Sequence, residues 1–146
     1  MTATILLTRS SGIIGALIRW QTRSMWSHAA VLVNGYVYEA REGSRVRRML
    51  SKDWRHGTIT GAFPVSITEE QMVQMMDFLD NQIGKSYDYG SVLRFISRRQ
   101  ESRKGSGKWF CSELVFAAFR EAGVQLLKRV EPWAVSPGLL SLSPLI

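Results

Sequence analysis

One cysteine in the chain, Cys111, stands at the start of a helical pattern. In KWFCSELVFAAFREAG, residues 108–123, it precedes Leu114, Val115, Ala118, Phe119 and Ala122, which recur at the spacing of one helix face, and Gly123 ends the run. At a helix N-terminus, unpaired backbone N–H groups and the positive end of the dipole favour thiolate over thiol. Thiolate is the nucleophilic form, so the position is primed to attack a carbonyl. A buried structural cysteine is the competing reading, and position alone does not separate the two. A nucleophile also needs a base, and the chain holds two histidines. His56 lies in DWRHG, a charged turn, and reads as a solvated surface residue. His28 opens the first strand of a hairpin, a rigid mount for a base.

That hairpin, HAAVLVNGYVYEAR at residues 28–41, fixes what His28 faces. Asn34-Gly35 fits a two-residue type I′ turn, in which both central residues need positive φ. Val33 then faces Tyr36, His28 pairs with Arg41, and Ala30 with Glu39. His28 and Glu39 therefore lie on one side of the ribbon as diagonal neighbours. Such pairs sit roughly 7–8 Å apart at the backbone, within reach of long side chains. A carboxylate there holds the imidazole tautomer and stabilises its charged form. A slip of one residue would separate them to opposite faces. An ordinary cross-strand pair that also involves Arg41 is the plainer reading. Cys111, His28 and Glu39 together make a nucleophile, base and orienter.

Other chemistries have less in their favour. Two histidines and one cysteine are conceivable zinc ligands, but no CxxC or HExxH spacing occurs. There is no GxSxG for a serine triad, no P-loop and no GxGxxG. Neither a metal nor an organic cofactor is implied.

The elements that must position these residues read as a mixed set. ATILLT (3–8) is a short buried strand. Residues 10–22 carry Ile13, Ile14, Leu17 and Ile18 at helical spacing, weakened by two glycines. After the hairpin, SRVRRML extends the sheet, and TITGAFPV (58–65) is a strand with Pro64 at its margin or on an edge. Residues 68–84 form a helix: Thr68 and Gln71 make a capping box, and Met72, Met75, Met76, Leu79 and Ile83 form its apolar stripe. Gly84 stops it. KSYDYGSVLRFISRR turns into another helix with Val92, Leu93 and Ile96 inward. RRQESRKGSGK, 98–108, is a basic surface loop leading into Cys111. The apolar tail, WAVSPGLLSLSPLI, packs back. The fold class expected is α+β, one domain over 1–146, with a small antiparallel sheet packed against helices.

A chain of 146 residues, 45% hydrophobic and 21% charged, has the composition of a packed domain. A lone cysteine forms no internal disulfide. The N-terminus lacks a basic start and Arg9 breaks its apolar run, so it is not read as a signal peptide. No segment approaches the roughly 20 apolar residues of a membrane span. A cytoplasmic or virion-associated location is expected over secretion. The formal charge of +7 favours anionic surroundings such as a membrane surface or cell-wall polymer; nucleic acid is not the expected partner.

The order His28, Glu39, Cys111 reverses that of ordinary papain-like enzymes. With SHAAVLV, YVYEA, IGKSYDYGSVLRF, WFCSELVFAAFREAG and WAVSPGLL in this order, the chain resembles the circularly permuted papain-like proteins. The resemblance is to the YiiX/YaeF amidase type within the NlpC-type superfamily, relatives of lecithin:retinol acyltransferase. It spans the chain from about the first strand to the C-terminus. The resemblance implies a permuted papain-like fold with Cys111 as nucleophile, His28 as base and Glu39 as its orienter. It implies hydrolysis or transfer at an amide or ester carbonyl through a thioester, on cell-wall peptide or lipid-acyl substrates. Tyr87 and Asp88 match the family's Tyr-Asp and are expected as a cleft wall. Ser27 and Trp109, flanking the two reactive residues, are expected to touch substrate. Two rivals stand beside the enzyme. One is a binding module holding an anionic polymer or membrane through the basic loop and Arg45, Arg47 and Arg48. The other is an inactive structural part, for instance of a phage particle.

Overall fold

The computed structural model describes residues 1–55, 59–92 and 107–146. His56, Leu93, Ile96 and the basic loop up to residue 106 lie outside them. Five strands form one antiparallel sheet: β1 (Thr2–Arg9), β2 (His28–Val33), β3 (Tyr36–Ala40), β4 (Val46–Leu50) and β5 (Ile59–Ser66), in the order β4-β3-β2-β1-β5. Helices α1 (Ile13–Thr22), α2 (Glu69–Gln82) and α3 (Cys111–Glu121) accompany it, and residues 89–92 are helical too. A short helix α4 (Pro137–Leu140) closes the chain. The architecture is α+β, a five-stranded antiparallel sheet packed against helices, as expected.

Each element has a local cause. Asn34 and Gly35 both adopt positive φ, and Val33 pairs with Tyr36, so the β2–β3 register is the one the two-residue turn dictates. Pro64 sits opposite Thr4 in β5, an edge strand, where a missing donor costs no ladder bond. Thr68 Oγ1 accepts from the Gln71 N–H at 3.1 Å, and the Gln71 side chain accepts from the Thr68 N–H at 3.0 Å, completing the capping box of α2. Along α2, Met75 and Leu79 are buried and Met72 and Met76 partly so. Ile83 is exposed, because the helix has ended at Gln82 and the backbone turns away.

The glycines of α1 also acquire reasons. Gly12 is its N-cap. A Cβ on Gly15 would lie 2.2 Å from Ser10 Oγ and 3.1 Å from the Ser10 carbonyl oxygen, so glycine is what lets α1 lie against the end of β1.

The main core joins Ala3, Ile5 and Leu7 of β1 and Ala29, Val31 and Val33 of β2 to Met75 and Leu79 of α2 and to α3. Leu114, Val115, Ala118, Phe119 and Ala122 are all buried; so are Phe116 and Ala117, which makes α3 a central helix. The tail packs back: Ser112 Oγ donates to the Val135 carbonyl at 2.5 Å, and Ser143 Oγ to that of Leu126 at 2.8 Å.

Candidate active site

β2 presents His28 as its first residue, and α3 presents Cys111 as its first. Two short backbone links set the start of α3. The Asp88 N–H donates to the Trp109 carbonyl and the Trp109 N–H to the Ser86 carbonyl, both at 3.0 Å. The segment around Ser86 is pinned in turn to β4, where the Val46 N–H donates to the Lys85 carbonyl and the Gly84 N–H to the Val46 carbonyl, both at 2.9 Å. The sheet thus dictates where the sulfur lies.

His28 Nε2 and Glu39 Oε2 are 2.7 Å apart, both residues buried. The ribbon register had put these side chains on one face, and they meet. The Cys111 side chain lies within hydrogen-bonding and electrostatic reach of the same imidazole. With Nε2 engaged by Glu39, Nδ1 is the nitrogen left for the sulfur. Burial opposes charge on the imidazole most strongly. Hydrogen bonds to Cys111 and Glu39, with the charges of both, outweigh it and raise His28 to about 9. Glu39 is fully buried, and burial pushes its carboxyl up. Its hydrogen bond to His28, the imidazolium charge and bonds from Arg47 and Trp54 prevail and hold it down at about 2.

Arg47 and Trp54 are the partners that sequence reasoning did not place. Glu39 and Arg47 face each other across β3–β4. Arg47 Nε and Nη2 donate to Glu39 Oε1 at 2.9 and 2.6 Å, and Trp54 Nε1 donates to Oε2 at 3.1 Å. Register arithmetic was the signal that could have found Arg47. It was out of reach because the connection at residues 41–45 is no two-residue turn of known geometry.

The remaining residues singled out from sequence take more structural places. Tyr87 is buried against Phe110, ring centroids 5.9 Å apart, and its phenol is pushed up by burial first and then by the charge of Cys111. It therefore stands within electrostatic reach of the sulfur. Asp88 caps the helical turn that follows: its carboxylate accepts from the Ser91 N–H at 3.2 Å and the Ser91 hydroxyl at 2.8 Å. Ser27 Oγ accepts from the Ser10 N–H at 2.8 Å and ties β2 to the end of β1. Trp109 Nε1 donates to Gln82 Oε1 at 3.0 Å and its ring packs edge-on against Phe78, joining α3 to α2. Ser27, Asp88 and Trp109 are thus joints of the scaffold around the site.

The arginine cluster proposed for anion binding is engaged within the protein. Arg47 holds Glu39, Arg48 Nη1 reaches Asp80 at 3.0 Å, and Arg45 Nη1 donates to the Gly84 carbonyl at 2.9 Å.

Comparison with solved structures gives likenesses of fold. The fold is similar to that of the metalloprotein yiiX from Escherichia coli O157:H7 (DUF1105). The TM-score is 0.77 at 20% sequence identity, over 99% of this chain and 93% of that one. At this identity the likeness is one of fold. No family model matches the chain, and no curated protein matches its sequence.

Proposed function

We propose that this chain is a cysteine-dependent acyl hydrolase or acyltransferase of the circularly permuted papain-like kind. The observation that carries it is a buried imidazole 2.7 Å from Glu39 and within electrostatic reach of the helix-leading Cys111. The chain order His28, Glu39, Cys111 and the YiiX-like fold support it.

The chemistry follows from the contacts. His28 Nδ1 takes the thiol proton, and Sγ attacks an amide or ester carbonyl. The Cys111 N–H, the first of α3 and without an intrahelical partner by its position, stabilises the developing oxyanion. The imidazolium then protonates the departing amine or alcohol, leaving an acyl thioester on Cys111. Water, deprotonated by His28, or an acceptor alcohol or amine releases the acyl group and restores the thiol. Glu39 contributes by stabilising the imidazolium, and Arg47 and Trp54 hold the carboxylate in place. An imidazole raised to about 9 keeps the proton it takes until the leaving group needs it. Cell-wall peptide and lipid acyl groups are the two substrate classes that this reading carries.

The yiiX protein is described as a metalloprotein; the residues here do not fit a metal at this site. Glu39 Oε1 is filled by Arg47, and Oε2 by His28 and Trp54. Among the described residues no three His, Cys, Asp or Glu side chains converge as ligands.

The test is incubation of the protein with muropeptides and, separately, with acyl lipids, followed by mass spectrometry of the peptide containing Cys111. An acyl adduct on Cys111, and loss of turnover in a folded Cys111→Ala variant, are the expected results. Turnover that survives Cys111→Ala would overturn the reading.

A further inference from the structure

The outer face of α1 is built the wrong way round for a helix that meets only water. A surface helix ordinarily buries one apolar stripe and turns polar residues outward. In α1, Gly15 and Ile18 are buried against the protein. The opposite face carries Ile13, Ala16, Leu17 and Trp20, four residues within one helical arc. Ile13 is 82% exposed, Leu17 36% and Trp20 72%. Met25, just beyond the helix, is 48% exposed.

The charges around this ridge are mostly positive. Residues 1–38 contain no aspartate or glutamate, and they contain Arg9, Arg19 and Arg23. Arg9 and Arg23 are exposed, and Arg23 forms the C-cap of α1 beside Trp20. Arg19 turns inward and donates to the Ser10 carbonyl at 2.5 Å. Glu42 meets the other end of the helix, with its carboxylate 3.3 Å from where a Cβ on Gly12 would be.

We infer that α1 is an interfacial docking element that lays Ile13, Leu17 and Trp20 into the headgroup boundary of an anionic bilayer. An apolar helical face with tryptophan and flanking arginines is what such an interface binds. Arg9, Arg23 and the overall charge of +7 attract acidic headgroups. A second protein surface fits less well. The helix is about 15 Å long at 1.5 Å per residue, and its ridge is narrow and convex. A stable protein interface needs about 800 Å² from each partner. The inference goes beyond the chemistry proposed for Cys111 and stands or falls independently of it.

Co-sedimentation with vesicles tests it, using equal parts phosphatidylglycerol and phosphatidylcholine against phosphatidylcholine alone. The full chain is expected to pellet with the anionic vesicles at low salt. It should bind neutral ones at least tenfold more weakly and detach as salt rises. Ile13→Ser with Trp20→Ser should lower the partition at least tenfold while the circular dichroism stays unchanged. Brominated phosphatidylglycerol gives a second readout that needs no polar substitution: it should quench tryptophan emission in the wild type and much less in Trp20→Phe. Three results would overturn the inference. One is no pelleting with anionic vesicles at low salt, and another is partition indifferent to the substitutions. The third is a concentration-dependent dimer that the same substitutions abolish, which would give the face to a second copy of the chain.

Discussion

Glu39 is a fully buried carboxylate held by three side chains, and its charge decides the state of its neighbour. It is one of two groups that lift His28 to about 9. Glu39→Gln keeps the shape and removes the charge. The imidazole pKa should then fall by about one unit or more toward its ordinary value. With two histidines in the chain, NMR titration of the imidazole nitrogens resolves this directly. An unchanged His28 titration would mean that the carboxylate does not tune the base. Arg47, left without its partner, has its side chain 35% exposed and can turn to water, so the variant should still fold.

The same pair makes stability depend on pH in two directions. Glu39 is depressed to about 2, so its contribution is complete above about 4.5 and is lost as pH falls through about 2. His28 is raised to about 9, so its contribution is complete below 6.5 and is lost as pH rises through about 9. Counted once for the pair, the effect is on the order of 3 kcal/mol. Urea unfolding of the wild type and of Glu39→Gln across pH measures it. The difference between them should be widest between about 4.5 and 6.5 and narrow on both sides. A flat difference would contradict the assignment.

At the scale of elements, legibility tracked how much of the geometry a few residues determine. The β2–β3 hairpin was readable because a two-residue Asn-Gly turn leaves one register, and that register puts His28 beside Glu39. The capping box made α2 equally plain. Arg47 was not readable, because a longer connection leaves the β3–β4 register open. Trp54 was hidden in what reads as a polar turn. Ser27 and Trp109, expected at the substrate, also brace joints of the scaffold. In α1, propensity misleads: glycine in a helix interior is unfavourable, but Gly15 is there for closeness to Ser10. Gly15→Ala should therefore lower stability by about 1–2 kcal/mol in thermal or urea unfolding, against its helix propensity. A stabilised variant would show that the contact with Ser10 is soft.

At the scale of the whole molecule, the α+β architecture was legible from the sequence, and the exposure of the site was not. Cys111 is 1% exposed and His28 5%, because α3 is buried nearly all round and the tail packs over it. A substrate carbonyl reaches the sulfur only when packed groups part, a motion of the kind that gates many enzymes. Among the described residues no helix is long and apolar enough to cross a membrane. The most direct test of convergence is the rate at which iodoacetamide alkylates Cys111 in the folded protein, wild type against His28→Asn. The native wild type should react near neutral pH, and His28→Asn, still folded, about 100-fold more slowly. Equal rates in the two proteins, or a wild-type thiol that reacts only after denaturation, would contradict it.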